Sequence, residues 1–260
     1  MAAIDPLANT DAAARLASIL IDAHTLGRRI DVVPAEALVA SQAEAYRTQA
    51  AVARRLGRII GWKTGRKEPG AIPLRAPLFE NRLYRSGDLI KRDVFSVWRL
   101  EAELMFRLGR DLPEKGTPYT RPDVVTAIEE VIVGFEIVDS RFAAWPDVAP
   151  PLLLADLLSH GAMVIGSGVP LPDAAAFEQA PVSLTIDGRT IVQREGGNPA
   201  GDIIELVARL ANDLAAHGVS LRAGDLVTTG SYTGMQYLPP GSRAEANFAG
   251  VGRVEIARGA

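Results

Sequence analysis

The chain reads as an α+β protein: a helical N-terminal region over residues 1–57, then a β-rich region over residues 58–260. Three observations predict this. Apolar residues up to Leu56 recur at helical spacing. From Arg58 onward they fall into short runs bounded by Gly, Pro and Asp. Beyond that point helical patterns are few and irregular connections long, which suits a mixed, β-rich fold carrying a helical cap.

In order, Asn9, Thr10 and Asp11 are N-cap types, and an Ala/Leu/Ile-rich helix is expected to about Thr25. Pro34, Ala35 and Glu36 open a second expected helix to about Leu56, with Val39, Ala43, Tyr46, Ala50 and Ala53 as its apolar row. Ile59 to Gly65 is a short strand. Lys67 to Pro77 holds three prolines and a glycine and reads as a loop. Leu78-Phe79 and Leu83-Tyr84 suit short strands before the Ser86-Gly87-Asp88 turn. In Trp98 to Leu108, residues two apart share a face: Leu100, Ala102, Leu104, Phe106 and Leu108 on one, Glu101 and Glu103 on the other. A helix is expected from Arg121 to about Glu130, a buried strand from Val131 to Val138, a loop from Trp145 to Pro151, a helix from Leu152 to His160 and a strand from Ala162 to Gly166. Val182 to Val192 is a hairpin around Asp187-Gly188. An amphipathic helix follows Gly201-Asp202 and runs to His217, with Gly218 as its stop. Asp225 to Gly230 and Arg243 to Ile256 supply the last strands.

The totals exclude several functions. A chain of 260 residues with 48% hydrophobic content and a mean hydropathy of +0.10 is not a disordered one. A net charge of −3 with interspersed signs leaves no nucleic-acid footprint. No cysteine is present, which removes disulfides, thiolate metal sites and a cysteine nucleophile. No apolar run reaches the roughly 18 residues of a membrane span, and Met1 to Asn9 lacks the pattern of a secretory signal. A cytoplasmic protein without nucleic-acid or membrane partners is expected.

Glu101 and Glu103 repel each other unless water or a cation stands between them. A solvated strand face would explain them. Glu136 changes the balance, because it sits inside the otherwise apolar run Val131 to Val138, where a carboxylate needs a cation or several donors. An ion pair with Arg141 or another base would satisfy it. A hard, oxygen-seeking ion such as Mg²⁺ or Mn²⁺ would satisfy all three glutamates, whereas Zn²⁺ prefers nitrogen and sulfur. Lys63, between Trp62 and Thr64, is either a strand-end lysine or a group that holds an oxyanion and moves protons. Ser167, Thr229 and Ser231, in Gly-rich strand ends, can line a substrate anion. Neither Ser167 nor Ser231 lies in a Gly-x-Ser-x-Gly nucleophile elbow.

Taken together these segments resemble a known family. Gly61-Trp62-Lys63-Thr64-Gly65, Glu101-Ala102-Glu103, Phe135 to Arg141, Ala155-Asp156 before Val164-Ile165-Gly166, and Gly224-Asp225 before Thr229-Gly230-Ser231 stand in the order of the 2-keto-4-pentenoate hydratase family. That family includes 4-oxalocrotonate decarboxylases and lies within the fumarylacetoacetate hydrolase superfamily. The resemblance covers about residues 10–257. It implies a mixed β-barrel or roll with an N-terminal helical region, assembled as a homo-oligomer. It implies Mg²⁺ or Mn²⁺ held by Glu101, Glu103 and Glu136, with Lys63 as the active-site lysine and Asp156 as an acid of the pocket. The implied chemistry is that of a lyase on a small 2-oxo acid, in which the metal stabilises an enolate during hydration or decarboxylation. A C–C hydrolase or tautomerase of the superfamily, or a binding protein on a degraded site, is the competing expectation.

The chain departs from the pattern in two places. Where hydratases of the family carry an acid, an aromatic residue and a glycine, it has Pro73-Leu74-Arg75-Ala76-Pro77; where an asparagine often follows the aspartate, it has Leu157. Two expectations follow: Arg75 binds a second anionic group of the substrate, or the chemistry needs only the metal enolate.

Overall fold

A computed structural model of the protein describes residues 11–172 and 177–260. Asn9 and Thr10 lie outside the described residues. The chain divides into two compact units, one running up to Gly57 and taking in Ser140–His160, the other made of Arg58–Asp139 and Gly161–Ala260. The segment 140–160, expected within the β-rich region, thus belongs with the helices.

In the helical unit, α1 spans Ala12–Leu26 and α2 spans Gln42–Leu56. Asp11 is the N-cap residue of α1, though its side chain makes no cap bond, and Gly27 closes the helix at φ 63°. The second helix begins later than expected. Pro34 opens only a 3₁₀ turn at Ala35–Ala37, and α2 starts at Ser41, where Ser41 and Glu44 form a reciprocal capping box. Its buried face differs in part from the expected row: Ala53 is buried as expected, but with Ala45, Thr48, Gln49 and Val52, while Ala43 and Ala50 are exposed. Two polar residues lie on that face because each has a backbone partner. Thr48 Oγ1 donates to Ala13 O at 3.2 Å, and Gln49 Nε2 donates to Leu154 O at 2.5 Å.

The third helix of this unit is shorter than expected. It spans Pro150–Ala155, after which Leu157, Leu158 and Ser159 take positive φ of 54–57°. Arg141 pins this left-handed turn at both ends, donating to Asp156 O at 3.1 Å and His160 O at 3.0 Å.

The larger unit holds two mixed sheets. Its strands in chain order are β1 Ile59–Gly65, β2 Leu74–Phe79, β3 Leu83–Arg85, β4 Leu89–Ile90, β5 Arg99–Leu108, β6 Ile128–Val138, β7 His160–Pro170, β8 Pro181–Ile186, β9 Arg189–Glu195, β10 Leu226–Ser231, β11 Gln236–Tyr237, β12 Arg243–Phe248 and β13 Gly252–Arg258. The eight-stranded sheet runs β2-β1-β10-β5-β6-β7-β3, with β11 also paired to β5; the other runs β4-β13-β12-β8-β9. Two helices complete the unit, Arg121–Ala127 and Ile203–Ala215, the latter capped by Asp202 on the amides of Ile204 and Glu205. The described residues contain no helix long and apolar enough to cross a membrane.

Two strands extend into segments expected to be otherwise. β2 takes up Leu74 to Pro77, and Pro77 is tolerated because β2 is a sheet edge, where a missing N–H costs no ladder bond. β6 starts at Ile128, ending the preceding helix three residues early; Glu130 stands opposite Arg107 and pairs with its Nε at 2.6 Å. The hairpin forms as read. Asp187 and Gly188 both have positive φ, 50° and 76°, the signature of a type I′ turn.

The main core lies between the sheets and the long helix. Leu100, Ala102, Leu104 and Phe106 of β5 and Val131, Val133, Phe135 and Ile137 of β6 meet Ala244 and Ala246 of β12, Ile256 of β13, and Ile204, Val207 and Leu214 of the helix. The expected apolar face of β5 is thus buried whole. The reverse face of the same sheet carries a smaller core of Leu78, Met105, Ile132, Met163 and Leu226. Glu101, Glu103 and Glu136 stand beyond it on that face.

Candidate metal centre

Strand parity and register assemble the cluster. On β5, Glu101 and Glu103 share a face with Met105. On β6, Glu136 stands directly opposite Glu101, and Gly134 opposite Glu103. Like charges directly opposite destabilise a sheet unless something neutralises them. Gly134 contributes no side chain, and a Cβ there would lie 2.5 Å from Met105 Sδ and 3.0 Å from Val164 O. The three carboxylates each present an oxygen, all within 4.8 Å of one another.

The solvated strand face is not what forms. Glu103 and Glu136 are each 1% exposed, and Glu101 is half-buried. Glu136 does meet a base: it pairs with Lys63, whose Nζ lies 2.5 and 2.8 Å from its two oxygens. Lys63 comes from β1, two strands away from β5 across β10. Its ammonium also acts on Glu101 and Glu103, lowering the pKa of each. Burial pulls the Lys63 pKa down, but Glu136, Glu103 and Glu101 outweigh it and raise it, so the lysine stays charged.

The acids remain in excess. Burial and then Glu136 push Glu101 up to about 7, with Lys63 and the Ser231 hydroxyl pulling back. Burial, Glu136 and Glu101 push Glu103 up to about 8, against Lys63 and Thr228. A buried set of three carboxylates against one lysine, without imidazole or thiolate, suits a hard divalent ion with oxygen ligands. The donor set therefore fits Mg²⁺ or Mn²⁺.

The other expected residues divide. Ser231 is at the cluster: it is paired in register with Glu103, and its hydroxyl hydrogen-bonds Glu101. Thr229 is buried on the opposite face, where its hydroxyl donates to Leu104 O at 2.8 Å. Ser167 is exposed and links strands, accepting from Arg253 N at 2.9 Å and donating to Arg253 O at 3.3 Å. Asp156 belongs to the helical unit. Its buried carboxylate accepts from Ser140 Oγ at 2.9 Å, Arg141 N at 3.0 Å and Arg141 Nε at 2.5 Å.

Arg75 is also placed differently from the expectation. In β2 it pairs in register with Thr64, whereas Ala76 pairs with Lys63. Alternation therefore turns Arg75 to the face opposite Lys63. There its guanidinium forms an ion pair with Asp213 of the long helix and lies 5.4 Å from the Trp62 ring centroid. The structure gives it a packing partner on the core side and does not bring it to the glutamates.

One group at the cluster was not singled out from sequence, Thr228, whose Oγ1 donates to Glu103 Oε2; Gly230 N, of the Gly-rich strand end read above, donates to the same oxygen at 3.1 Å. The only trace of Thr228 in the sequence is a doubled threonine before a strand-end glycine.

Comparison with known proteins places this geometry among relatives. Residues 68–257 match the family model described as fumarylacetoacetate (FAA) hydrolase C-terminal. A 2-keto-4-pentenoate hydratase of Paraburkholderia xenovorans is 30% identical over 177 residues, 68% of this chain and 65% of that protein. The chain thus spans slightly under two thirds of that relative. The TodF product hydratase of Pseudomonas putida is 31% identical over 265 residues, covering 96% of both. Among solved structures, 4-oxalocrotonate decarboxylase from Pseudomonas putida G7, complexed with magnesium and adipate, superposes with a TM-score of 0.84 at 23% identity, over 95% of this chain and 97% of that one. That likeness shows the fold.

Proposed function

This chain belongs to the fumarylacetoacetate hydrolase family, alongside the 2-keto-4-pentenoate hydratases, and on that premise we propose that it is a divalent-metal-dependent lyase of hydratase or decarboxylase type acting on a 2-oxo carboxylic acid. The observation that carries the proposal is the buried trio Glu101, Glu103 and Glu136, with ligand oxygens within 4.8 Å and one lysine against them. The names of the relatives support the reaction type, and the magnesium in the decarboxylase neighbour supports the ion.

In this reading the three glutamates hold Mg²⁺ or Mn²⁺. The ion supplies Lewis acidity toward the carboxylate and keto oxygens of a 2-oxo acid, favouring the build-up of negative charge as a proton or CO₂ departs. The residues of the chain do the rest. Lys63, nine-tenths buried and kept cationic by the acids, places a positive charge and a transferable proton at the cluster. The Ser231 hydroxyl, beside Glu101, offers a hydrogen bond to an anionic oxygen. The small apolar group behind the glutamates, Met105 and Ile132 among it, keeps water from that side of the site. By the same family resemblance the protein is proposed to work as a homo-oligomer.

The test combines binding and turnover. Mg²⁺ or Mn²⁺ should raise the melting temperature, and Glu103→Gln should abolish that rise. With metal, the protein should add water to 2-keto-4-pentenoate or release CO₂ from 4-oxalocrotonate, followed by mass spectrometry, and Lys63→Met should lose turnover while retaining the thermal shift. A melting temperature indifferent to millimolar metal, or a Glu103→Gln variant as active as wild type, overturns the proposal.

A further inference from the structure

We propose that Thr228 is a positioning residue that fixes which oxygen of Glu103 faces the ion, by way of a β-bulge in β10; this rests on the metal-site reading above. The bulge is visible in the register. Leu226, Val227 and Thr228 of β10 face Arg107, Phe106 and Met105 of β5, but the next partnered pair is Ser231 with Glu103. Between them β10 has Thr229 and Gly230, and β5 has only Leu104. The extra residue takes β10 out of the regular ladder.

The groups so displaced are all re-used. Gly230 has φ +93°, a conformation that suits glycine, and its N–H points to a side chain instead of a strand partner, donating to Glu103 Oε2 at 3.1 Å. The Thr229 hydroxyl donates to Leu104 O at 2.8 Å, tying the bulge to the β5 residue it faces. On the other side, Asn198 Nδ2 donates to both Thr229 O and Gly230 O, each at 3.0 Å, and clamps the two bulged residues together.

Thr228 completes the arrangement. It is fully buried, pairs in register with Lys63 on β1, and gives its hydroxyl hydrogen to the same Oε2. One oxygen of Glu103, Oε2, thus carries two donors from β10, and in this scheme the other, Oε1, is the one offered to the ion. A carboxylate swinging freely over a buried site pays for its ordering when an ion binds; one already held by two donors does not. Thr228 touches no reacting atom in this scheme and acts only through Glu103.

Isothermal titration of Mg²⁺ into wild type, Thr228→Val and Thr228→Ser tests the assignment. Valine keeps the shape and removes the donor; serine keeps the donor. Thr228→Val is expected to bind Mg²⁺ about 10- to 100-fold more weakly, and Thr228→Ser within about threefold of wild type, the range seen when a ligand loses its outer partner. Wild-type binding with an unchanged Thr228→Val overturns the positioning role and leaves the metal site standing. Equal weakening in both variants also overturns it, because the hydroxyl is then not the cause. Absence of Mg²⁺ binding in wild type overturns the metal reading itself. If Thr228→Val does not fold, Asn198→Ala loosens the bulge from outside the cluster: weaker Mg²⁺ binding supports the device, and unchanged binding overturns it.

Discussion

Replacing Asp156 by alanine separates two roles that its position permits, an acid of the pocket and a keystone of the helical unit. In the structure the Asp156 carboxylate is fully buried and accepts from Ser140 Oγ, Arg141 N and Arg141 Nε at 2.5–3.0 Å. The Arg141 side chain is 5% exposed, and it also donates to the carbonyls at the two ends of the left-handed turn 157–159. Asp156→Ala therefore leaves a guanidinium buried without this acid, a loss of about 3–5 kcal/mol. At about 2–4 °C per kcal/mol for a chain of this size, the melting temperature should fall by about 6–20 °C. Arg141→Met combined with Asp156→Leu should lose less than the sum of the single changes, by about 1–3 kcal/mol, since no orphan charge remains. Scanning calorimetry on the five proteins (wild type, Asp156→Ala, Arg141→Met, Asp156→Leu and the double variant) measures this, and kcat and KM taken well below each melting temperature should move little. An Asp156→Ala protein that melts like wild type while its kcat collapses refutes the structural role and returns Asp156 to the chemistry.

Two further expectations follow from the larger unit. The carboxyls of Glu101 and Glu103 are raised to about 7 and 8, above the roughly 4.3 of an unfolded glutamate, so they contribute stability that is fully present below the unfolded value and lost as pH rises through the folded ones. Metal-free protein should lose stability as pH rises from about 4 to about 8, between the unfolded and folded values, while the Mg²⁺-induced rise in melting temperature grows, because the ion displaces these protons; scanning fluorimetry in a buffer series checks it, and an Mg²⁺ shift flat across the range contradicts the assignment. Arg75→Met removes the Asp213 pair, whose acid is 43% exposed, and the contact over Trp62, and should cost about 1–2 kcal/mol with KM for a dicarboxylic 2-oxo acid unchanged; a KM that climbs at constant stability would show that Arg75 reaches substrate after all.

How much of this was legible in the sequence follows the range of the interactions. The β5 strand, the Asp187-Gly188 hairpin and the helix after Asp202 were readable because alternation, a two-residue turn and a cap are encoded within a few residues. The start of α2 was misplaced because Pro34 is a valid opening signal and Ser41 with Glu44 is a stronger one. The buried row of α2 was misread because Thr48 and Gln49 are core residues only by virtue of Ala13 and Leu154, one of them more than a hundred positions away. Pro77 concealed a strand because whether a proline is tolerated depends on the strand being an edge, which is a property of the whole sheet.

The same distinction runs through the candidate site. Residue type and period two were enough to pick out Glu101, Glu103 and Glu136, since an acid in an apolar strand announces a cost that something must offset. What offsets it could not be read locally. Arg141 is five residues from Glu136 and is the natural partner by proximity, yet it pairs with Asp156, and Lys63 reaches Glu136 from three strands away. Arg75 and Lys63 lie on adjacent strands, yet register puts Thr64, not Lys63, opposite Arg75, and this single offset turns the guanidinium from the glutamates to Asp213. The bulge in β10 works in the opposite direction. One inserted residue takes Gly230 N–H out of the ladder and aims it at Glu103, while leaving Thr228 below it on the face of the acids. Which side chains enter the site is thus decided by strand offsets of one residue, and these are set by pairings between segments that lie far apart in the chain.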